Sequence, residues 1–235
     1  MTRLKRLAAP RSWSVPRKTQ KWSVTSSPGP HPRESSLPLT VILRDMLHLC
    51  ETAREAERIV HRRKVLVDGR VATDPRLPVG IMDVVSIPDL KAHYRMVIDV
   101  RGRLQLVAID GPSAGWKLAR VEGKTMVKSG KVQLNLYGGR SLLVEGKEYR
   151  TGDTLKLKVP DQKVLEVYKF AKGNVALLIG GAHVGEIGHV EEEKVERSTK
   201  PNVVHFREGF NTIRPYVYVV GTKEPEIKLP ESRAV

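Results

Sequence analysis

Apolar positions recur with a period of three to four over one short stretch of the chain and with a period of two over most of the rest. Leu39, Ile42, Leu43, Met46, Leu47 and Cys50 follow the i, i+3, i+4, i+7 spacing of an amphipathic helix. That spacing puts Cys50 on the apolar face, as a core residue. Thr52, with Glu55 three residues on, fits a capping box, and Ala53, Ala56, Ile59 and Val60 form the next buried stripe. Two short helices joined by a tight turn are therefore predicted over 39–63.

The period then changes to two. Val65-Leu66-Val67, Asp68-Gly69 and Arg70-Val71-Ala72 read as a hairpin, because Asp-Gly suits a type I′ turn with positive φ. Pro78, Gly80 and Asp83 punctuate the chain before a strand over Val84-Val85-Ser86-Ile87. Short alternating runs follow at Met96–Val100, Leu104–Val107, Val132–Leu136, Leu142–Val144 and Leu155–Val159. Gly102, Gly115, Gly123, Gly130, Gly138, Gly139, Gly146 and Gly152 fall between them, which suggests a barrel or small sandwich. A last β unit is expected from Val175–Ile179, Val203–Phe206 and Tyr216–Val220, with Gly180, Gly181, Gly185 and Gly188 crowding its first turn. Beyond Gly221, Pro225 and Pro230 mark a loose tail. The expected class is α+β and mostly β.

The first 38 residues differ from all of this. They carry Arg3, Lys5, Arg6, Arg11, Arg17, Lys18, Lys21 and Arg33 against the single acid Glu34, and six prolines prevent a continuous helix. Trp13 and Trp22 are unusual in a solvated tail. An arm that is mobile when free and anchored on a partner has a use for both charge and stacking; a plain basic tail is the alternative.

Charge extends this pattern to the whole chain. Of 235 residues, 41 are Lys or Arg and 26 Asp or Glu, a net charge of +15 with a pI near 10.0. An excess of this size attracts polyanions and says nothing about fold. A membrane surface would require an apolar span of roughly 18 residues or a basic amphipathic anchor. The longest apolar runs are strand-length, so nucleic acid is the expected partner. No apolar segment follows the basic N-terminus, and a cytoplasmic location is expected. Cys50 is the single cysteine, which rules out an internal disulfide and a Cys-based zinc site.

The second helix carries the most informative cluster. Arg54, Arg58 and Arg62 are four apart and share a face, Arg63 and Lys64 extend it at the C-terminal end, and Arg44 on the first helix can join it. Guanidinium groups pair bidentately with phosphate oxygens. An ordinary solvated face, offset by Glu51, Glu55 and Glu57, is the plainer reading of the same residues.

Catalytic and cofactor motifs are wanting. The run Gly180-Gly181-Ala182-His183-Val184-Gly185-Glu186-Ile187-Gly188 lacks G-x-G-x-x-G order, and a strand follows it where a dinucleotide site needs a helix. Gly123-Lys124-Thr125 ends like a phosphate loop, but Leu118 stands where that motif requires glycine. The seven histidines have no metal-ligand spacing, and no nucleophile elbow occurs. No enzyme, cofactor, metal or small-molecule substrate is expected.

Taken together, these blocks resemble the archaeal and eukaryotic small-subunit ribosomal protein family called S-four-e. The resemblance spans almost the whole chain. It is carried by Leu4-Lys5-Arg6-Leu7-Ala8-Ala9-Pro10 with Trp13; by Gly29-Pro30-His31, Arg33-Glu34-Ser35 and Leu37-Pro38-Leu39; by Val65 to Val71 with Pro78 to Val84; and by Gly173 to Gly188. His31-Pro32-Arg33 stands where the family usually has additional Lys or Leu, and Ser36 is unusual. The short C-terminal tail is closer to archaeal members.

The resemblance implies a basic arm over 1–38, an S-four-type RNA-binding domain over 39–94, a central β-domain over 95–170, a KOW-type SH3-like barrel over 171–221 and a tail over 222–235. It also implies a structural role in the small subunit, with its RNA and neighbouring ribosomal proteins as partners. The candidate RNA contacts are Arg3, Lys5, Arg6, Arg11, Trp13, Arg17, Lys18, Lys21, Arg33, Arg44, Arg54, Arg58, Arg62, Arg63 and Lys64, with Trp13 or Trp22 packing on a base or sugar. Two alternatives stay open at this point: an RNA-modifying enzyme with an S-four-type accessory domain, and a KOW-bearing factor that binds transiently.

Overall fold

The computed structural model describes residues 3–128, 130–145, 148–196 and 198–230; Gly146 and the last five residues of the expected tail lie outside them. The chain is mostly β, with a few short helices and several antiparallel sheets. It divides into two units, Met1–Val97 with Arg103–Lys117, and Ile98–Gly102 with Leu118–Val235. Among the described residues no helix is long and apolar enough to cross a membrane.

In the first unit, β1 (Arg3–Lys5) pairs antiparallel with β2 (Trp22–Val24), which sets Lys5 opposite Trp22. The leader is built into this unit. Ala9, Trp13 and Val15 are buried, Ser12 O accepts the Leu104 N–H at 2.8 Å, and Arg76 O accepts the Ser27 N–H at 2.9 Å. The leader ends in β3 (Ser36–Pro38).

The first predicted helix is shorter than its periodicity suggests. It opens as α1 (Leu39–Val41) and widens into a π-helical turn over Ile42–Met46, closed by Leu47 N–H to Ile42 O at 2.9 Å. His48 then takes φ +52°, which breaks the helix. Cys50 is half-buried in the connection and not on a core face. The second helix, α2 (Ala53–His61), starts at the capping box: the Glu55 N–H donates to Thr52 Oγ1 at 3.3 Å, and the Thr52 N–H donates to Glu55 Oε2 at 3.4 Å.

The Asp-Gly hairpin joins β4 (Leu66–Val67) to β5 (Arg70–Val71), with φ +50° at Asp68 and +72° at Gly69 as a type I′ turn requires. Next, β6 (Pro78–Gly80) returns to β3, placing Leu37 opposite Val79 with both side chains fully buried. Three further strands, β7 (Val84–Ile87), β8 (Ala92–Ile98) and β9 (Leu104–Ile109), complete a sheet of order β5-β4-β7-β8-β9. A single helical turn, α3 (Gly111–Ala114), follows. The boundary expected after residue 94 falls inside β8, because the ladder to β7 includes Arg95 opposite Val84. The Arg95 side chain is buried, donates to Ser113 O and Trp116 O at 2.9 and 2.8 Å, and lies 4.1 Å from the Trp116 ring centre.

A buried ionic cluster ties this unit together. Lys117 Nζ lies 2.7 Å from Asp68 Oδ2 and 2.6 Å from Asp83 Oδ1. His31 Nε2, from the leader, lies 2.9 Å from Asp83 Oδ2. The remaining carboxylate lone pairs take backbone N–H groups, Val84 to Asp68 Oδ1 and Gly80 to Asp83 Oδ2, each at 2.9 Å. Burial works against charge on Asp83, but Lys117 and His31 outweigh it and hold its carboxyl well below the ordinary carboxylate range. A Cβ on Gly80 would stand 2.3 Å from the His31 ring, so only glycine lets the imidazole in.

The second unit takes most of β10 (Trp116–Met126), a strand that the apolar pattern does not predict. It lies between β11 (Val132–Leu136) and β13 (Thr154–Lys158) in a sheet of order β12-β11-β10-β13-β14, where β12 is Arg140–Val144 and β14 Val164–Tyr168. Ala119, Val121, Leu134, Leu136, Leu155 and Leu157 form its core. A second sheet has the order β18-β17-β16-β15-β19, from β15 (Val175–Leu178), β16 (Ile187–Lys194), β17 (Val203–Phe206), β18 (Asn211–Ile213) and β19 (Val217–Gly221). Leu178, Val190, Val204, Phe206 and Val217 pack inside it. Tyr218 crosses between the sheets: its hydroxyl donates to Leu118 O at 2.9 Å and accepts the Arg120 N–H at 3.2 Å.

Candidate nucleic-acid interface

Helix α2 positions the cationic stripe. At 3.6 residues per turn, Arg54, Arg58 and Arg62 point almost opposite to Ala56 and Val60, and those two are fully buried. Burying one face of the helix thus forces the three arginines outward. All three are exposed, as are Arg63 and Lys64. Among the described residues Arg54, Arg58, Arg62 and Arg63 form no ion pair.

Among the described residues neither acid of this helix forms an ion pair with the stripe. Glu55 caps the N-terminus, and the Glu51 N–H, the Thr52 hydroxyl and the Thr52 N–H lower its pKa. Glu57 lies 3.6 Å from His61. Among the described residues Lys64 pairs with Asp89 and Arg44 with Asp45. The stripe therefore offers fixed positive charge to solvent at a helix end that already favours cations.

Arg63 stops the helix with φ +57°, the left-handed conformation that a helix end usually gives to glycine. Its N–H reaches Val60 O at 2.9 Å. The position bears a guanidinium in place of the residue that backbone geometry alone would choose.

Residues of the leader are placed unevenly. Lys5, Arg11, Lys18, Lys21 and Arg33 are exposed. Arg3 begins β1, and its side chain lies outside the described part of the structure. Arg17 is half-buried and donates to Ala9 O and Pro10 O at 2.8 and 2.7 Å, so it braces the leader's own backbone.

Two members of the expected set are turned inward. Arg6 is 3% exposed and donates to Pro16 O, Thr19 Oγ1 and Asp45 Oδ1 at 2.8, 2.9 and 3.0 Å. Its charge is matched inside the fold and does not face a phosphate. Trp13 is 2% exposed and donates Nε1–H to Arg33 O at 3.4 Å; its ring is core and presents no face to a base. Trp22, the alternative stacking residue, is 43% exposed, with Lys21 Nζ 5.5 Å from its ring centre. The alternation of β2 held the distinguishing signal, since Ser23 points inward and Trp22 outward.

Asp45 links Arg6 to the surface. Its Oδ1 takes Arg6, while Oδ2 takes Arg44 through Nε at 3.2 Å and Nη2 at 2.6 Å. Arg44 is partly exposed and held in one orientation by two donors on this one oxygen. A buried arginine of the leader thus positions a surface arginine of the helical segment.

Comparison with known proteins assigns three successive parts of the chain. Residues 2–34 match the RS4NT (NUC023) domain, 37–85 the S4 domain, and 90–164 the ribosomal family S4e. The chain is 45% identical over 231 residues to the small ribosomal subunit protein eS4 of Methanothermobacter thermautotrophicus, covering 97% of this chain and 95% of that one. It is 42% identical to the protein of the same name from Archaeoglobus fulgidus, over 94% of each. Among solved structures, the crystal structure of the 30S ribosomal protein S4e from Thermoplasma acidophilum superposes with a TM-score of 0.70 at 35% identity, over 80% of this chain and 96% of that one.

Proposed function

Because the chain belongs to the S4e family of ribosomal proteins, we infer that it is a non-enzymatic structural constituent of the small ribosomal subunit, binding ribosomal RNA mainly through the cationic face of its first unit. One observation carries the assignment of that face: Arg54, Arg58 and Arg62 stand exposed opposite the buried side of α2 and, among the described residues, form no ion pair. Folded RNA is read largely through phosphates and 2′-hydroxyls, and an arginine row on a rigid helix suits that target. Arg63, Arg44, Arg11, Lys18, Lys21 and Arg33 extend the surface. Arg6, Arg17 and Trp13 act from beneath it, by holding the leader in place.

The proposed organisation keeps the leader over 1–38, the S4-type domain from residue 39, a central β-domain up to 170 and a KOW-type barrel over 171–221, with the limit after residue 94 moved beyond β8, whose ladder to β7 crosses it. Support for the barrel comes from the five strands β15 to β19 with one apolar interior. The second unit would then face neighbouring ribosomal proteins as well as RNA.

The test is salt dependence. Reversing Arg54, Arg58 and Arg62 together to Glu should weaken binding to small-subunit RNA and flatten the log–log salt slope by roughly 0.7–0.9 per lost contact. An unchanged slope with the fold intact removes the stripe from the interface.

A further inference from the structure

Within the first unit, a cleft of about 430 Å³ opens between β2 and the helical segment. Its walls include Trp22, Arg44, Glu57, Thr40, Pro75 and Arg76. The volume lies near the lower end of the roughly 300–1,000 Å³ found for small-molecule sites. We propose that this cleft takes one unstacked guanine nucleotide of ribosomal RNA, an inference that rests on the RNA-binding role given above.

The chemistry of the walls selects the ligand. Trp22 supplies an exposed aromatic face in a chain where aromatic residues make up only 5%. Sequence-specific RNA recognition works mostly on unpaired bases stacked on such rings. Arg44 and Arg76 add cationic groups for the attached phosphates; Arg44 is already oriented by the Arg6–Asp45 relay and sacrifices no further freedom on binding.

Glu57 settles the base. A carboxylate repels phosphate, so a cleft for bare phosphate would not include one. An ionised carboxylate only accepts hydrogen bonds, through two parallel oxygens. Guanine offers two adjacent donors on its Watson–Crick edge, N1–H and the N2 amino group, whereas adenine, cytosine and uracil each offer a single donor group there. The match is the same fork geometry that joins arginine to a carboxylate. Glu57 is exposed and, among the described residues, its one ion-pair contact is His61 at 3.6 Å, so it is available to a base. The Thr40 hydroxyl is committed to Pro75 O at 2.7 Å and forms wall, not contact.

The experiment measures binding of the full chain to fluorescein-labelled pentaribonucleotides UUGUU, UUAUU, UUCUU and UUUUU by anisotropy at low salt. UUGUU should bind at least about fivefold more tightly than the other three. Trp22→Ala should weaken UUGUU about tenfold or more, Trp22→Phe much less, and Glu57→Gln should abolish the preference for guanine, so that this variant binds UUGUU and UUUUU equally. Equal affinity for all four RNAs overturns the proposal, as does Trp22→Ala or Glu57→Gln without effect. Should Trp22→Ala unfold, as judged by circular dichroism, the Glu57→Gln arm decides alone. Reversal of Arg54, Arg58 and Arg62 separates the two readings. A missing guanine preference beside an intact salt-slope response sinks the cleft only, and the converse sinks the stripe only.

Discussion

Nε2 of His31 lies 2.9 Å from Oδ2 of Asp83, and both side chains are almost wholly buried. This contact joins the leader to the turn that precedes β7, and Gly80 makes room for it. It also makes the leader's attachment depend on a carboxylate that stays ionised.

Acid should loosen the first unit. Asp83 has a depressed pKa in the folded state, so its contribution is complete above the unfolded carboxylate value, about 3.9, and is lost as pH falls below that towards the folded one. Urea midpoints measured from pH 6 down to pH 3 should fall more steeply for the native chain than for Asp83→Asn. Parallel curves for the two would mean that the pair carries no linkage.

Lys117 compensates two buried carboxylates at once. Lys117→Met keeps most of the volume but leaves Asp68 and Asp83 without their shared cation, a change expected to cost about 3–5 kcal/mol. Denaturant titration reads this directly. A loss below about 1 kcal/mol would mean that water or relaxation replaces the ammonium.

Arg63→Gly should separate stability from binding. Relief of the left-handed strain is expected to stabilise the chain by up to about 1 kcal/mol, while RNA affinity falls and the salt slope shrinks by about one contact. A thermal melt and a salt titration on the same sample suffice. A stabilised variant with undiminished RNA binding would remove Arg63 from the interface.

Trp13 should behave as a core residue. Trp13→Ala is expected to cost about 3–5 kcal/mol. Deleting residues 1–36 should be worse still, because His31 leaves with the ring. Trp13→Phe should be mild and leave RNA affinity unchanged. Weakened RNA binding by a stably folded Trp13→Phe would place the ring in the interface after all.

Much of the architecture was legible in the chain because local rules governed it. The Thr52–Glu55 capping box and the Asp68-Gly69 turn depend on neighbours within four residues, and both appear where the pattern puts them. Strands β11, β12, β13, β15, β17 and β19 of the second unit were readable for the same reason, whereas β14 and β18 were not predicted. The first helix was misjudged in length, since its early π-helical turn and the left-handed His48 are not encoded in apolar spacing. Strand β10 was invisible because two of its inward positions are Lys117 and Arg120, which count as polar until their partners are known.

The site divided along the same line. The sequence alone determined that α2 would expose Arg54, Arg58 and Arg62, because an amphipathic helix that buries Ala56 and Val60 has only one other side to show. It also determined the net positive charge, and with it an anionic partner. Only the tertiary structure decided which leader residues face outward. Arg6 and Lys21 have the same charge, as Trp13 and Trp22 have the same ring, yet Asp45, Thr19 and the Arg33 carbonyl draw Arg6 and Trp13 into the fold. Those partners lie up to 39 residues away in the chain, a distance that no local periodicity can carry.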